Sequence, residues 1–504
     1  LHVKHYLYFK EMSRYDMVIA GGGLAGLECA AILAKEGMHV CVLEKNPLIG
    51  GCFQSFTRYG RLLDTGIHYV GSMDEGQLLY TIFKYLGIND KLQLQRLDEE
   101  GFDRIYLDGK EYRYAMGYER FVETLAQDFP HERTALRHYV AQLQEIGNTS
   151  SVELLRQGVF SNGGYKYFSH SASAFIEECT QDTTLRRVLA GTVQLYGGIS
   201  DRSPLYCHGM INNSYISGAY RFVGGSAQVT DALADVIRNY GGEVRNNSRI
   251  TRFVIDGARV KAVYVNNEEY IEADRFISTI HPQTTLTLLD DTPAIKKAYK
   301  RRIASMPNTY GIFTIYLLTK PGTVPYDNFN RFLHTRNDVW YDVHNGMQSC
   351  LISQQAVSPD NGYADVVTIL TPTPFDEVKA WEKTFVEHRG DSYLAYKEQK
   401  TQHILDYIRR YGLNYDGCID HIVTSSPLTY RDYTATTQGA AYGFEKNYKS
   451  PHLCVLSSRT HLPNFYFAGQ NLNVHGALGV SLTSLLTCAE FLGQEYLAKK
   501  VGYA

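Results

Sequence analysis

The sequence predicts an α/β fold made of two parts, a core of parallel strands and helices and a second domain of mixed sheet and helix. Three separated segments favour this fold class. An apolar run over 15–20 leads into a glycine-rich loop and a helix, a helix over 227–240 precedes a strand hairpin over 243–265, and an apolar strand over 465–468 precedes a C-terminal helix. Strands that alternate with helices in this way are typical of α/β proteins, and 504 residues suffice for two or three domains.

The first segment has the pattern of a dinucleotide-binding unit. Gly21, Gly23 and Gly26 satisfy G-x-G-x-x-G between a strand and a helix, and a second strand then ends in Glu44. In such a unit the first glycine permits a tight turn, the second lets the backbone approach a pyrophosphate, and the third lets helix and strand pack closely. The helix N-terminus attracts the phosphates, and the acid at the strand tip binds the ribose hydroxyls. The predicted nucleotide-binding residues of this segment are Gly21, Gly23, Leu24, Ala25, Gly26, Glu44 and Lys45.

A second glycine pair, Gly50-Gly51, follows shortly after the acid. Such a pair supplies a second backbone surface beside the pyrophosphate. That arrangement is common in proteins that bind FAD in an extended form and rare in NAD domains, although the pair taken alone is also compatible with a simple turn. We therefore predict FAD as the cofactor, with Gly50 and Gly51 among its contacts.

Composition argues against several other classes of protein. The formal net charge is −3 and the isoelectric point is near 6.7, so no charge excess favours nucleic acid binding. The nine cysteines are scattered without a C-x-x-C pair, which argues against a disulfide framework or a zinc site and for a reducing compartment. No run of 18 apolar residues occurs, and residues 1–14 are expected to be an N-terminal extension rather than a secretory signal. We expect a soluble, cytoplasmic protein without a metal site.

Further motifs make the chain resemble a known family of FAD-dependent enzymes. The resemblance is to retinol saturases and carotenoid isomerases, with phytoene desaturases as more distant relatives. It touches most of the chain from Tyr15 to Gly493 and is weaker in the middle. The segments that carry it are DTGIHYVG over 64–71, LYG over 195–197, CHGMINN over 207–213, GAYRFVGGS over 218–226, SPLT over 426–429, GAAYG over 439–443 and NFYFAGQ over 464–470.

This resemblance implies a Rossmann-like FAD-binding domain of the extended-FAD type, assembled from separated segments. The FAD-binding domain would comprise 15–71, 222–280 and 433–500, and the substrate domain 72–221 and 281–432. Within the substrate domain, the pattern predicts strands over 311–318 and 366–370 and helices over 375–384 and 392–411.

The resemblance also assigns cofactor contacts beyond the first segment. Val244 matches a strand valine whose backbone contacts the adenine, and the start of the last helix would face the flavin pyrimidine and stabilise the reduced flavin anion. Many relatives carry an aspartate in the turn before that helix, where this chain has only neutral side chains, which puts electrostatic tuning of the flavin in doubt. The residues implied at this end of the chain are Gly469, Gln470, Asn471, Gly476, Gly479 and Val480.

The residues that carry chemistry are harder to predict. No second G-x-G-x-x-G occurs, so electrons would be exchanged with NAD(P)H in transient contact, a redox protein or a quinone. Reduction of a carbon–carbon double bond needs a hydride on one carbon and a proton on the other. Our candidates for the proton donor are His68 first, then His208 and Tyr196, and His475 is expected to hydrogen-bond the cofactor.

The leading functional hypothesis is a saturase or desaturase of a hydrophobic polyene or isoprenoid-like lipid. The 39 tyrosines are compatible with aromatic walls for a flat, apolar substrate, and a substrate of this kind suggests reversible association with a membrane surface. One alternative is a redox-neutral cis–trans isomerase of the carotenoid type. Another alternative, of a different class, is a non-catalytic prenyl-binding or lipid-binding protein similar to the Rab GDP-dissociation inhibitors. The intact nucleotide-binding motif argues against this alternative.

Overall fold

The computed structural model describes residues 15–161, 163–334, 339–342, 347, 349–355 and 359–504. The N-terminal extension predicted over 1–14 lies outside these residues. The helices and strands in chain order are β1 (Tyr15–Ala20), α1 (Leu24–Lys35), β2 (Val40–Leu43), β3 (Ser55–Arg58), β4 (Arg61–Asp64), β5 (Val70–Gly71), α2 (Leu78–Leu86), β6 (Leu94–Arg96), β7 (Asp103–Leu107), β8 (Lys110–Tyr114), α3 (Tyr118–Asp128), α4 (Arg133–Gly147), α5 (Val152–Arg156), α6 (Ala172–Cys179), α7 (Thr183–Leu189), α8 (Leu205–Ser217), β9 (Ala219–Phe222), α9 (Ala227–Asn239), β10 (Glu243–Arg245), β11 (Ile250–Asp256), β12 (Arg259–Val265), β13 (Glu269–Ser278), α10 (Pro282–Leu288), α11 (Lys297–Ser305), β14 (Gly311–Thr319), β15 (Asn330–His334), β16 (Ser349–Gln355), β17 (Val366–Thr373), α12 (Asp391–Arg409), β18 (Ile419–Ser425), α13 (Pro427–Thr434), α14 (Pro451–Cys454), β19 (Phe465–Phe467), α15 (Gly476–Leu492) and α16 (Gln494–Gly502).

The first sheet is built from strands that lie far apart in the chain. Its order is β10-β2-β1-β13-β12-β11, with β19 also pairing with β13. The strands β10, β2, β1, β13 and β19 are parallel, whereas β11, β12 and β13 form an antiparallel layer. Both faces of β1 and β2 are buried, as expected for parallel strands covered by helices. All strands of this sheet come from the three segments that were predicted to form the FAD-binding domain.

The second sheet has the order β18-β14-β17-β16-β15-β7-β8 and is antiparallel except where β15 runs parallel to β7. It combines β7 and β8 from the early part of the chain with five later strands. The side chains Ile404, Tyr407 and Ile408 of α12 pack on its β14, β16 and β17 strands in a continuous apolar cluster. A small third sheet has the order β5-β9-β6, and its β5 and β9 strands contact α8. These sheets and helices confirm the predicted α/β class.

Three predicted elements differ from the observed ones. The segment predicted as a helix over 375–384 forms only two short 3₁₀ turns, because Val378 is its single buried side chain and too little apolar surface is available to stabilise a helix. The strand predicted over 243–255 breaks into β10 and β11 at Asn247, whose φ is +51°. The C-terminal helix, which the sequence pattern predicts over about 480–497, starts earlier, at Gly476, and is divided at Gly493, whose φ is +89°. Among the described residues, no helix combines the length and apolar character needed to cross a bilayer.

Candidate active site

The first glycine-rich loop joins β1 to α1 and leaves the N-terminus of α1 uncapped. Gly21 has a φ of +101°, which favours glycine. A Cβ on Gly26 would lie 2.0 Å from the carbonyl oxygen of Gly21, so only glycine allows the loop and helix to pack this closely. The N-cap residue Gly23 has no side chain to accept the first helical N–H groups. This helix end can therefore bind an anion through its backbone.

The second glycine pair lies against the first loop. Gly50 forms a parallel bridge with Gly23, and the N–H of Gly50 donates to the carbonyl of Gly22 at 2.8 Å. A Cβ on Gly50, whose φ is +117°, would lie 2.8 Å from the backbone nitrogen of Gln54. The two loops thus form one continuous backbone surface, as predicted for an extended dinucleotide.

Glu44 lies at the end of β2 and faces the cleft beside these loops. Its two carboxylate oxygens accept hydrogen bonds from the N–H groups of Gly22 at 2.8 Å and Asn46 at 2.9 Å. Burial raises the pKa of Glu44, and the N–H groups of Asn46 and Gly22 oppose that shift. The carboxylate is held in one orientation, with lone pairs left to accept from ribose hydroxyls. The next residue, Lys45, donates from Nζ to the carbonyl of Asp432.

The loops, Glu44 and the C-terminal helix enclose a cleft of about 460 Å³. Asn471 is held there because its side-chain oxygen accepts a hydrogen bond from the N–H of Phe444 at 3.1 Å. The N-terminus of α15, at Gly476, faces the same cleft. The predicted cofactor residues that line it are Gly21, Gly23, Leu24, Ala25, Glu44, Lys45, Gly50, Gly51, Gly469, Gln470, Asn471, Gly476 and Val480.

Three predicted cofactor residues do not line this cleft. Gly26 lies beneath the loop, and Gly479 lines a second cavity instead. Val244 lies beside Val42 in the register of β10 and β2, and its side chain packs against the apolar core, so the expected contact of its backbone with the adenine stays a prediction. That wall of the cleft is formed by Arg249, Ile250 and Thr251. The Asn246-Asn247-Ser248 turn, which separates β10 from β11, is the sequence signal that could have located them.

A second, smaller cavity of about 130 Å³ adjoins the cleft. Cys52, Ile67, Gly476 and Ala477 line both spaces, so a cofactor in the cleft would present one end to the cavity. The cavity walls are mainly aliphatic and aromatic. Its aromatic and large apolar residues include Tyr69, Tyr215, Tyr430, Tyr442, Leu79, Met210, Ile211, Ile312, Leu351, Leu370 and Leu482.

Two histidines are the main polar side chains on the cavity wall. Neither ring nitrogen of His68 or His475 finds a hydrogen-bond partner among the described residues. Burial lowers the pKa of His68 to about 4, with a smaller contribution from Arg221, and lowers that of His475 to about 3. Both rings are therefore neutral at neutral pH, and each offers one donor and one acceptor. Buried polar atoms without partners are unfavourable, so these nitrogens fit a site that a bound group completes.

Of the three predicted proton donors, the structure brings only His68 to the cavity wall. His208 and Tyr196 do not line the cavity. Both ring nitrogens of His208 are instead hydrogen-bonded to hydroxyls, those of Tyr139 and Tyr196, each at 2.8 Å. Burial lowers the pKa of His208 to about 3, so it is a neutral structural residue. His68 does lie on the cavity wall, but its depressed pKa leaves no imidazolium at neutral pH to give up a proton.

Comparison with known proteins agrees with this geometry. The sequence model of the flavin-containing amine oxidoreductases matches residues 24–481. The chain belongs to this family. Its loops, ribose-binding acid and uncapped helix ends fit FAD, which is the cofactor, as predicted.

Relatives support the predicted branch of the family. All-trans-retinol 13,14-reductase from Homo sapiens is 24% identical and the match covers 95% of this chain and 86% of that protein. Prolycopene isomerase 1 from an Oncidium hybrid cultivar is 23% identical over 86% of this chain and 76% of its own length. These matches confirm the resemblance to retinol saturases and carotenoid isomerases.

Solved structures support the fold. A putrescine oxidase structure aligns with a TM-score of 0.63 at 15% identity, covering 95% of this chain and 99% of that one. An oxidoreductase from Methanosarcina mazei aligns with a TM-score of 0.63 at 16% identity, covering 93% and 99% of the two chains. The protein is an FAD-dependent oxidoreductase.

Proposed function

We propose that the protein acts on a hydrophobic polyene, either by reducing one of its carbon–carbon double bonds or by introducing one through desaturation of a single bond. One observation carries this proposal: an apolar, aromatic cavity adjoins the flavin cleft at Cys52, Ile67, Gly476 and Ala477. A polyene chain that enters this cavity reaches the end of the cofactor without meeting a charged side chain on its wall. Relatives named retinol reductase and prolycopene isomerase act on molecules of this kind, which supports the same substrate class here.

Binding in the cavity would come mainly from apolar burial. Each buried methylene contributes about 0.8 kcal/mol, and the rings of Tyr69 and Tyr442 offer flat surfaces. The neutral rings of His68 and His475 would accept from or donate to a hydroxyl or carbonyl end group, and they offer no charge to bind a carboxylate. We therefore propose an uncharged substrate.

The chain's own residues position the reaction and exclude water. FAD, when bound, supplies the hydride chemistry. The N-terminus of α15 at Gly476 directs its free N–H groups toward the cofactor cleft, where a positive helix end stabilises negative charge. The apolar walls exclude water from the reacting carbons, and His68 orients the substrate through its ring nitrogens.

Electron exchange and substrate delivery complete the proposal. The sequence has one G-x-G-x-x-G, at 21–26, and hence no separate nicotinamide-binding motif. We propose that a nicotinamide cofactor in transient contact, a redox protein or a quinone exchanges electrons with the flavin. Because polyenes are nearly insoluble in water, the protein would collect its substrate from a membrane surface to which it binds reversibly.

The test is anaerobic turnover of the flavin-loaded protein. The flavin is reduced with NADH, NADPH or dithionite, a polyene alcohol is supplied in liposomes, and the lipid extract is analysed by mass spectrometry. We expect a product heavier by two hydrogens and faster turnover in liposomes than in detergent-free buffer. His68→Phe should lower turnover and leave the flavin bound. The control His403→Phe, at an exposed position on α12, should change neither turnover nor flavin content.

Other outcomes would contradict the proposal. A product of unchanged mass but altered double-bond geometry would indicate the isomerase instead. A purified protein that binds lipid tightly without flavin would favour the lipid-binding alternative. Turnover restricted to small charged metabolites would exclude the polyene substrate.

A further inference from the structure

We propose that Tyr69 and Asp103 form the proton-donating pair of the cavity, with Tyr69 protonating the substrate carbon and Asp103 replacing the proton of Tyr69. The inference rests on the proposed function, because it assigns the proton source for reduction of the double bond. It also supplies a proton donor in place of the candidates His68, His208 and Tyr196. None of these three combines a position on the cavity wall with a protonation state that can donate a proton.

Tyr69 connects the cavity to a buried carboxyl group. Its side chain lines the cavity directly beside His68, and its ring centroid lies 4.4 Å from that of Tyr215, another wall residue. The Tyr69 hydroxyl lies 2.9 Å from Oδ2 of Asp103. Asp103 itself is completely buried and does not line the cavity. Tyr69 is therefore the link through which this carboxyl group can act on a bound substrate.

The second sheet fixes Asp103 in this position. Asp103 is the first residue of β7, and the parallel register of β7 and β15 places Asn330 beside it. Asn330 donates from Nδ2 to Oδ1 of Asp103 at 3.0 Å and accepts from the guanidinium of Arg221 at 3.0 Å. Asn330 thus separates the acid from the arginine by one amide group.

This environment keeps a proton on Asp103 near neutral pH. Burial raises its pKa to about 7, against the opposing effects of the hydrogen bonds from Asn330 and Tyr69 and of the Arg221 charge. The other titratable groups that face it are the phenols of Tyr114 and Tyr215, which are neutral. The carboxyl group is therefore able to change its protonation state near neutral pH.

Neither member of the pair suffices alone. Burial raises the pKa of Tyr69 well above its usual value of 10, so a tyrosinate left in the apolar cavity would be strongly disfavoured. When Asp103 is protonated, its O–H donates to the Tyr69 oxygen, and the Tyr69 hydroxyl is free to turn toward the substrate. Transfer of both protons leaves the charge on Asp103, where Asn330 and Arg221 stabilise it.

The step balances in atoms and electrons. The π bond of one double bond breaks and two C–H bonds form. One carbon receives a hydride, with two electrons, from the reduced flavin, and the other receives the proton of Tyr69. The Tyr69 O–H bond is re-formed with the proton of Asp103, and the resulting carboxylate takes a proton from solvent before the next turnover.

The test compares three variants of the flavin-loaded protein. Tyr69→Phe and Asp103→Asn remove the two members of the pair, and Tyr114→Phe is the matched control, because Tyr114 is buried beside Asp103 but its hydroxyl donates to the carbonyl of Val188 away from the cavity. Single-turnover oxidation of the reduced flavin by the polyene is measured in H₂O and D₂O. A positioned proton donor contributes about 10² to 10⁴ in rate.

We expect both members of the pair to behave differently from the control. Tyr69→Phe and Asp103→Asn should each slow the step by about a hundredfold or more. Both should lose the wild-type solvent isotope effect and give product with deuterium on both faces of the protonated carbon. In wild type the rate should fall as the pH rises through about 7, and Asp103→Asn should abolish that fall. Tyr114→Phe should resemble wild type in all these measurements.

Infrared spectroscopy without substrate gives a second, independent readout. At pH 6 the difference spectrum of wild type minus Asp103→Asn should show the carbonyl band of one protonated carboxyl group, and Glu28, whose pKa burial also raises to about 7, cancels because both proteins contain it. Suppose that wild type reduces the polyene and that both variants keep the wild-type isotope effect and the wild-type configuration at the deuterated carbon. The Tyr69–Asp103 pair would then be overturned, and the proposed function would stand. If the wild-type protein reduces no polyene although the infrared band is present, the proposed function is wrong, and the pair is overturned with it.

Discussion

Gly23→Val separates the role of the first loop in cofactor binding from its role in folding. An ideal Cβ on Gly23 would have as its nearest protein atoms Gly51 Cα at 3.9 Å and the carbonyl oxygen of Gly50 at 4.0 Å. The backbone of Gly23, with φ −78° and ψ −179°, is open to any residue. The side chain would therefore point into the cleft and leave the folded protein itself nearly undisturbed.

The magnitude follows from the contacts that the side chain would block. The uncapped N–H groups at the start of α1 are the donors available to the pyrophosphate, and hydrogen bonds to a charged group contribute about 1.5–3 kcal/mol each. Loss of two such bonds costs about 3–6 kcal/mol, which weakens FAD binding by about 10² to 10⁴. The free energy of unfolding of the apo-protein should change by no more than about 0.5 kcal/mol.

The assay is titration of the apo-protein with FAD, followed by flavin fluorescence, together with thermal unfolding with and without FAD. We expect wild-type stability for the apo-variant and no added stability from FAD, since stabilisation by a ligand depends on its affinity. Gly101→Ala, away from the cleft and in ordinary contact with Arg113, is the control. A yellow, fully loaded Gly23→Val protein would refute the assignment of this loop to the pyrophosphate.

Four further predictions concern neighbouring residues. Glu44→Ala should weaken FAD binding at least about tenfold in the same titration, because the lost ribose bonds are charge-assisted. Gly26→Ala should destabilise even the apo-protein in thermal unfolding, since its Cβ would lie 2.0 Å from a backbone oxygen. Asp64→Ala should lower the free energy of unfolding in urea by about 1–3 kcal/mol, because the buried N–H of Ser226, which lies 2.8 Å from the carboxylate, loses its acceptor, while the Ser226 hydroxyl keeps the carbonyl of Phe53 at 3.1 Å. His68→Phe should stabilise the substrate-free protein by about 1 kcal/mol, since it removes a buried ring without partners. It should also reduce the loss of stability between pH 6.5 and about 4, the range in which the wild-type ring is protonated only after unfolding.

Two of these predictions have a control variant in the chain. Glu243 on β10 is exposed, and its replacement by Ala should leave FAD affinity unchanged. Asp235 on α9 is exposed, and Asp235→Ala should cost little stability. A Glu44→Ala protein with wild-type FAD affinity would exclude the ribose contact. If the acid-induced loss of stability in His68→Phe equals that of wild type, the depressed pKa of His68 is not its cause.

The nucleotide half of the site was predictable because its chemistry is local. The first loop, Glu44 and the second glycine pair lie within 31 residues of one another, from 21 to 51, and each position is fixed by backbone requirements that the sequence displays. The FAD assignment followed from these motifs and the family from further motifs along the chain, and both were confirmed. The contact of Val244 stays a prediction, whereas Arg249, Ile250 and Thr251 were missed as cleft residues because the turn at Asn247 has a positive φ that a run of strand-forming residues obscured.

The catalytic half was not predictable in the same way. His208 is adjacent in sequence to Cys207 and Gly209 within a motif of the family, yet its contacts are with Tyr139 and Tyr196, which the helices bring together from elsewhere. Asp103 gave no signal in the sequence, because a single acid at the start of a strand resembles an ordinary surface residue. Its significance depends on the pairing of β7 with β15 and on complete burial.

The sequence by itself determined the α/β class, the cofactor and the family, since glycine positions, an acid at a strand tip and apolar strands impose backbone conformations over short distances. Only the tertiary structure decided which polar side chains face the cavity and in what protonation state. A pKa depends on burial and on neighbours that are distant in the chain, as His68, which is neutral, and Asp103, which titrates near pH 7, both illustrate. Proximity of that kind is produced by contacts between distant segments, such as the pairing of β7 with β15 that sets Asp103 beside Asn330.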